Sequence, residues 1–458
     1  MGKLNFRFSD LRQVRPAHVF RWIKGMVTDG WYYEGDPSSK DRFRLLMNSY
    51  SGNIVGNLIG GSFYTGLLLL MQADDGFIGL MSMLGTAINM FQMFAPLILE
   101  RFEKRKKILL TLSAISQTLN ILLIGLIPLF PIGHQGQLSV LAVTIVTINL
   151  IGIINGPGTS VWHLQSLPPH TRNSYFSLVT LTTGLLTTIV NLTASWVVDS
   201  FRANGMEYQG ILLLRIIAAA IAAVNLFSVS RIKEYPYENS GKGFSIKDLF
   251  IKPFKEKLYL RTIAVLCLWN FTANIPGSYF SIYLLGNLDM SYTYLTLVSS
   301  MNIPIVLLFT PIWSKMIRKR SHFTTFYLTM SVYLLNYILQ AFVIQETTWL
   351  YVVAMFIVCV MGAGINLLMS SIAYVNIPSE NQTVHLAFYS TMGNISALLG
   401  VTVGREFILA TEGINITLLG IEMVNKQYIL LLTAGVMIIS TICIFLIQRS
   451  LRKHGQQS

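Results

Sequence analysis

Asparagine side chains recur at helical spacing in two long uncharged stretches of this chain. Asn53, Asn57 and Tyr64 stand at positions i, i+4 and i+11, which places them on one stripe of a helix. Asn270 and Asn274 repeat the four-residue spacing further along the chain. An amide offers hydrogen-bond donors and acceptors without a fixed charge, so such a stripe can replace the hydration of a polar solute. The alternative is structural, because amides also bond neighbouring helices to one another in apolar surroundings.

Two further asparagines share helical faces with small or hydroxyl-bearing residues. Asn155 lies on a face with Thr159 that ends at His163, and Asn366 lies on a face with Ser370. Both asparagines are therefore candidates for lining a polar cavity. His163 is a possible proton carrier, because imidazole gains and loses a proton near neutral pH, and the alternative is a histidine bonded at a helix interface.

Ionisable residues are rare within the uncharged stretches. Arg215 interrupts one of them and is a candidate contact for an anionic group of a solute. Glu406, beside Arg405 at the end of another stretch, is the second possible proton carrier, and the alternative is that both side chains extend toward water. The three cysteines all lie in apolar runs without the spacing of zinc ligands, which predicts free thiols, no metal site and no cofactor.

Composition determines what kind of element must position these residues. Of the 458 residues only 12% are charged and 53% are hydrophobic, whereas roughly a quarter of a soluble chain is charged. A water-soluble fold would have to bury more apolar surface than its interior encloses. An ordinary soluble enzyme is excluded, and the expected surroundings are a lipid bilayer.

Stretches free of Asp, Glu, Lys and Arg are long enough to cross a membrane as helices, since a span needs about 20 apolar residues. They are residues 45–73, 76–99, 108–171, 173–198, 262–288, 290–314, 321–345, 347–379, 381–404 and 427–448. The long stretch 108–171 must hold two helices, broken near Pro131 and Gly133, and 208–230 adds another around Arg215. The sequence predicts twelve transmembrane helices.

Lysine and arginine are distributed unequally between the loops. If successive loops alternate sides, 30 of the 34 basic residues lie on one side, together with both termini. The excess of basic residues in cytoplasmic loops therefore predicts cytoplasmic termini in a cell membrane. This asymmetry also accounts for the net charge of +13, so nucleic-acid binding is not expected.

The two halves of the chain resemble each other. At an offset of 217 residues, Asn53 pairs with Asn270 and Asn57 with Asn274, and the pairing extends to Gly60 with Gly277. A second match at an offset of 215 follows the second helix of each half and pairs Arg105 with Arg320. The sequence predicts an all-α membrane protein of two pseudo-symmetric six-helix bundles.

Repeated six-helix halves, a basic loop after the second helix of each and a charged central linker resemble the major facilitator superfamily. Residues 96–107, PLILERFEKRKK, match part of that family's signature loop, although Pro96 replaces its first glycine and one residue is added. The resemblance implies a solute cavity lined mainly by the first and fourth helices of each half. It also implies a cytoplasmic gate whose candidates here are Glu100, Arg101, Arg105, Lys106 and Arg320.

The predicted protein is a monomeric, multi-pass transporter of a small organic solute, either facilitative or secondary active, that works by alternating access. A non-transporting sensor or lipid-handling protein on the same fold, and a membrane-embedded enzyme, are the alternatives. The predicted segments are a cytoplasmic segment 1–44, a first bundle 45–231, a cytoplasmic linker 232–258, a second bundle 259–449 and a cytoplasmic tail 450–458. Neither the solute nor the direction of transport follows from the sequence.

Overall fold

A computed structural model describes residues 37–99, 102, 104–168, 172–234, 253–372, 376, 382–418 and 420–453. Helices occupy every stretch that the sequence predicts to be a span. We number them α1 to α12 in chain order and count pieces separated by a short break as one helix.

The first half contains α1 (Pro37–Ile59 and Gly61–Leu70), α2 (Asp75–Asn89, Met90–Phe94 and Ala95–Leu99), α3 (Lys106–Gln117, Thr118–Leu123, Ile124–Leu126 and Ile127–Leu129), α4 (His134–Gln165), α5 (Arg172–Arg202) and α6 (Glu207–Ser230). The second half contains α7 (Lys257–Asn274, Tyr279–Ile282 and Tyr283–Asn287), α8 (Tyr292–Ser300 and Asn302–Lys319), α9 (His322–Ala341), α10 (Trp349–Ile372), α11 (Gln382–Ala410) and α12 (Asn425–Lys453). Two short antiparallel strands, β1 (Ile416–Leu418) and β2 (Ile421–Met423), form a hairpin between α11 and α12.

Nine helices in the described part of the chain are long and apolar enough to cross a bilayer, and α2, α9 and α11 occupy the remaining predicted stretches. Large apolar side chains point out of the bundle, such as Val224, 71% exposed, and Ile189, 65% exposed. Such exposure in a membrane protein marks the surface that faces lipid. The predicted fold class, an all-α membrane protein, is confirmed.

The helices extend beyond the predicted spans at both ends of the chain. Helix α1 begins at Pro37, before the uncharged stretch that starts at residue 45. The Asp41 carboxylate accepts hydrogen bonds from Arg44 at 2.7 Å and from the backbone N–H of Lys233 at 3.0 Å. Helix α12 continues to Lys453, past the predicted boundary at 450. Residues 1–36, most of the linker and residues 454–458 lie outside the described part.

Helices α1 and α7 break at equivalent positions of the two halves. The break in α1 falls at Gly60 and Gly61, where Gly61 has a φ of 53°, and the break in α7 precedes Tyr279, where Gly277 has a φ of 48°. A positive φ suits glycine, and Pro276 has no N–H to continue the α7 ladder. The repeat seen in the sequence therefore corresponds to a shared irregularity of the backbone.

Because α1 begins and α12 ends on the same side of the bundle, its two ends can be named. The terminal end carries Pro37 and Lys453, and the distal end carries the loops at 71–74, 203–206 and 288–291.

Candidate functional site

A cavity of about 490 Å³ lies between the two halves, where α1 and α5 of the first half face α8 of the second. Its volume falls within the roughly 300–1,000 Å³ typical of small-molecule sites. Amide and hydroxyl groups dominate its lining. The polar lining residues are Asn57, Ser62, Thr187, Thr188, Asn191, Thr296, Ser299, Ser300 and Asn302.

Two asparagines form the amide centre of this cavity. Asn57 sits on α1 one turn before the helix break, and Asn191 faces it from α5. Asn191 Nδ2 donates to Asn57 Oδ1 at 2.9 Å, while Asn57 Nδ2 donates to the carbonyl oxygen of Asn53 at 2.7 Å. Asn191 Oδ1 is buried and has no hydrogen-bond partner within the described part of the chain. The pair therefore contains a buried acceptor without a donor, on a residue that lines the cavity.

The distal end of the cavity is closed by contacts between α5 and α8. Asp199, near the end of α5, accepts hydrogen bonds from the backbone N–H groups of Tyr292 at 2.9 Å and Thr293 at 2.7 Å. Tyr292 also donates its hydroxyl to Glu207 at 2.7 Å and stacks on Phe63 with ring centroids 5.6 Å apart. One turn deeper, the Ser195 and Thr296 hydroxyls are 2.6 Å apart. We call this set the α5–α8 closure.

A second set of distal contacts joins α2 to α11 and α12. Lys426 and Asp75 form an ion pair at 2.9 Å between Nζ and Oδ2. Arg405 donates from Nε to the carbonyl oxygen of Gly76 at 3.3 Å. Both closures thus link the first half to the second at the same end of the bundle.

Polar residues are accessible toward the terminal end, in contrast to the distal end. Hydrogen bonds between the halves, among the described residues, involve residues 75–76, 195–207, 279–296, 405 and 426, all toward the distal side. Asn53 and Asn366 are exposed within their helices nearer the terminal end. Lipid cannot satisfy an amide, so exposed amides at this depth favour contact with water over contact with lipid. Among the described residues, the hydrogen bonds and ion pairs that join the two halves therefore lie at the distal end.

The family of the chain follows from a comparison of its sequence with models of protein families. The model described as Major Facilitator Superfamily matches residues 45–401, which is most of the chain. The chain belongs to the major facilitator superfamily. It is a multi-pass membrane transporter, and the prediction that it is not an enzyme is confirmed.

Solved structures of major facilitator superfamily transporters share this fold at low sequence identity. A mutant form of the nucleoside transporter NupG superposes with a TM-score of 0.65 at 14% identity, covering 89% of this chain and 99% of its own. A bacterial homologue of the human lysosomal transporter Spinster gives 0.62 at 12%, covering 93% and 99%. A bacterial homologue of the iron transporter ferroportin gives 0.63 at 11%, covering 89% and 98%. Among curated protein sequences, none matches this chain significantly.

The repeated asparagines of this major facilitator superfamily protein adopt the same local arrangement in both halves. Asn270 donates to the carbonyl oxygen of Leu266 at 3.0 Å, and Asn274 donates to that of Asn270 at 2.7 Å. Asn53 and Asn57 bond their own helix in the same way. In both pairs, each amide N–H donates to the carbonyl oxygen four residues earlier in the helix, which leaves the amide oxygen available to other partners.

The remaining predicted cavity residues are spread over several places. Asn155 of α4 donates to the hydroxyl of Ser113 in α3 at 2.9 Å, within the first half. Tyr64 lines a smaller cavity of about 170 Å³ between α1, α2 and α7, which also reaches Ser278. Asn366 is exposed on α10. Of the predicted cavity residues, Asn57 lines the 490 Å³ cavity.

Arg215 is buried inside the first half, 1% exposed. Its guanidinium donates to the carbonyl oxygens of Asn120 at 2.7 Å, Ile121 at 3.2 Å and Ile59 at 3.5 Å. The first two belong to the π-helical turn of α3, and Ile59 is the last residue before the break in α1. Helix irregularities free such carbonyls from their usual partners, and Arg215 satisfies them.

Three of the five predicted gate residues lie in the described part of the chain: Arg105, Lys106 and Arg320. Glu100 and Arg101 lie outside the described residues, and Arg320 is exposed at the end of α8. The backbone N–H groups of Arg105 and Lys106 donate to Glu234 Oε1 at 2.6 Å and 2.9 Å. Glu234 therefore caps the beginning of α3, where a carboxylate also complements the helix dipole.

The two possible proton carriers lie away from the 490 Å³ cavity. His163 lines a cavity of about 120 Å³ inside the first half, with Trp162 and Asn225, and its Nε2 has no hydrogen-bond partner among the described residues. Glu406 is 62% exposed in its side chain and pairs with Arg405 at 2.5 Å.

Several residues of the site were not singled out from the sequence. Asn191 and Thr187 on α5 and Thr296 on α8 line the cavity, and Asp199 and Glu207 close it. The four-residue spacing of Thr187 and Asn191 was a usable signal, since it places both on one face. The position of the two acids at span ends did not reveal that they reach across to the other half.

Proposed function

We propose that this transporter moves a small organic solute by alternating access and that the structure represents its inward-facing state. The observation that carries the proposal is the polar cavity between the halves, closed at the distal end by the α5–α8 closure, while Asn53 and Asn366 are exposed nearer the terminal end. A site between two rigid halves is exposed to each side in turn when the halves rock about it.

We place the terminal end in the cytoplasm of a cell-membrane protein, with both chain termini cytoplasmic. The support is the basic asymmetry, 30 of 34 Lys and Arg residues on that side. Reporters fused at Gln135, Asn204 and Gly413 then read as external, and those at Lys107, Lys242 and the C-terminus as cytoplasmic. An external signal from Lys242 contradicts this orientation.

In the opposite state the distal contacts separate and the terminal ends of the halves meet. We assign the closing contact on that side to the loop that holds Glu100, Arg101, Arg105 and Lys106, and to Arg320 of the second half. The support is that the repeat places Arg105 and Arg320 in equivalent loops at the terminal end. Arg320 is exposed in the present state, as expected for a residue that meets its partner only in the opposite state.

We propose that the protein works as a monomer, with the cavity formed between its own two halves. We also propose that it binds no nucleic acid, because its basic residues lie in short loops between spans. The similar structures do not identify the solute, because they include a nucleoside transporter and a homologue of an iron transporter. We propose that Asn57, with Asn53 on the same stripe and Asn270 and Asn274 in the other half, contacts the solute during the cycle.

Two measurements on the purified, reconstituted protein test this function. The first is uptake of radiolabelled solutes into liposomes, which separates a transporter from a sensor or a lipid-handling protein. The second is labelling of Ser300→Cys, in a chain whose three cysteines are replaced by alanine, with a membrane-impermeant thiol reagent. We expect faster labelling from the cytoplasmic side, and equal labelling from both sides contradicts the assigned state.

The asparagine stripe has its own test in matched variants of the two halves. Asn57→Leu and Asn274→Leu are each expected to abolish uptake while expression and thermal stability stay near those of the parent. Normal uptake by either variant removes that asparagine from the solute path. Failure of both to fold assigns the stripe to helix packing.

A further inference from the structure

The residues that line the 490 Å³ cavity share one chemical property. Among the described lining residues none carries an ionisable side chain, and Phe63 is the one aromatic ring. A charged solute in such a cavity would lose its hydration without gaining a countercharge, and an unpaired charge out of water is strongly disfavoured. The lining is therefore suited to an uncharged solute.

Four of the six hydroxyl groups in the described lining have a defined polarity. Thr188 donates its hydroxyl proton to the carbonyl oxygen of Gly184 at 3.0 Å, and Ser299 donates to that of Leu295 at 2.8 Å. Thr187 and Ser300 do likewise within their helices. A hydroxyl has one proton and two lone pairs, so a group that donates backwards presents lone pairs to the cavity. The lining is consequently rich in hydrogen-bond acceptors.

The unpartnered amide oxygen adds to this excess of acceptors. Asn191 Oδ1 is buried beside the cavity, while the Nδ2 of the same side chain is committed to Asn57. A buried acceptor without a donor is destabilising, and a solute O–H or N–H that reaches it removes that penalty. An anionic solute would bring further lone pairs to the same place.

We infer that the cavity binds an uncharged solute with several O–H or N–H donors, of the class of polyols, sugars and nucleosides. This inference rests on the proposed transport function and names its substrate class. Asn191 is the specificity-determining residue, because its free oxygen accepts from the solute. Thr187, Thr188 and Ser299 accept from further donors along α5 and α8.

The test is uptake by the reconstituted protein, with matched neutral and charged probes. We use uridine against uridine 5′-monophosphate, and D-glucose against D-gluconate and D-glucosamine. At least one neutral probe is expected to enter faster than each of its charged relatives by tenfold or more. Preferred uptake of a charged relative overturns the inference and leaves transport standing. Uptake of none of the probes, in liposomes shown to be sealed, overturns the inferred substrate class, whereas uptake of any other radiolabelled solute would keep the transport function.

Variants of α5 test the acceptors directly. Asn191→Leu is expected to lower uptake of the neutral probe at least tenfold. Thr187→Val is expected to lower it several-fold, through a higher KM. Thr193→Val is the matched control, because Thr193 also donates to a carbonyl of α5, that of Ile189 at 2.9 Å, but is exposed on another face. Uptake by Asn191→Leu at the level of Thr193→Val overturns the assignment. Thermal stability of each variant separates loss of binding from loss of fold.

Discussion

Asp199 of α5 caps the first turn of a helix in the other half of the protein, through the backbone N–H of Tyr292. Its second oxygen accepts from the N–H of Thr293, so one carboxylate takes both bonds, at 2.9 Å and 2.7 Å. The first N–H groups of a helix have no partner within it, and the helix dipole favours a negative charge there. The two halves are thereby joined by a contact that exists when the distal end is closed.

Removing this carboxylate is expected to shift the transporter toward the outward-facing state. Hydrogen bonds to charged groups contribute about 1.5–3 kcal/mol, and about 1.4 kcal/mol changes an equilibrium tenfold. Asp199→Ala should therefore raise the rate of labelling of Ser300→Cys from the external side by about tenfold or more. The reagent is the impermeant thiol probe, applied to sealed liposomes.

Asp289 supplies the control for this experiment. It pairs with Arg202 in the same region, but its side chain is 77% exposed, and exposed ion pairs contribute about 0–1 kcal/mol. Asp289→Asn removes the charge and tolerates the φ of 53° at this position, so it should change external labelling by less than about fivefold. If the two variants behave alike, the cap by Asp199 does not control the closure.

Two glycines of α11 allow it to pack on the broken helix α7. A Cβ at Gly400 would overlap the carbonyl oxygen of Phe271, and a Cβ at Gly404 would overlap that of Ile275. Both oxygens belong to backbone, which cannot move aside as a side chain can. Gly400→Ala and Gly404→Ala should each lower the free energy of unfolding by about 1–3 kcal/mol or more, seen as a lower Tm in detergent.

Gly362 of α10 is the matched control for these glycines. Nothing lies within 4 Å of a Cβ built there, and the residue is also within a long helix. Alanine is favoured over glycine in a helix by about 1 kcal/mol. Gly362→Ala should leave Tm unchanged or raise it, and a fall equal to that of Gly404→Ala would contradict the packing argument.

Arg215 is expected to be required for the shape of α1 because it holds the carbonyl oxygen of Ile59 at the helix break. Lysine carries a compact ammonium group in place of the planar guanidinium, and its donors are not spaced to span the carbonyls of α1 and α3. Each buried carbonyl left without a donor costs about 1–3 kcal/mol. Arg215→Lys should lower Tm, and Arg231→Lys, exposed at the end of the same helix, should not. Equal Tm values for the two variants would contradict this role.

The sequence predicts the helices well because lipid imposes a simple requirement, about 20 uncharged residues for each span. It also points to Asn57, because the halves repeat and helical spacing places repeated amides on one stripe. It does not reveal what Arg215 touches. From the sequence, the charge suggests a contact for a solute. In the structure, the guanidinium donates to carbonyl oxygens that lack their usual helical partners at the irregular turns of α1 and α3. Those turns depend on local backbone geometry that no periodic pattern encodes.

Asn191 was missed for a related reason. Which helices face each other across the cavity is set by how the two halves are inclined, and that inclination is a property of the state. In the present state α5 and α8 carry most of the polar lining, whereas the resemblance implied the first and fourth helices of each half. Residue spacing identifies a polar face but not the partner that the face meets.

Uptake is expected to proceed without coupling to protons. A coupled carrier needs a group that takes up and releases a proton inside the solute path. The described lining of the 490 Å³ cavity has no such group, His163 lies in a separate cavity within the first half, and Glu406 is exposed beside Arg405. An imposed pH gradient should therefore leave the plateau of solute accumulation in liposomes unchanged, as should His163→Ala and Glu406→Gln. A proton ionophore added at the plateau is the control, because it releases any solute held by the gradient. Accumulation that follows the gradient and is lost in one of these two variants would show that this residue carries the proton and that its side chain reaches the cavity in another state of the cycle.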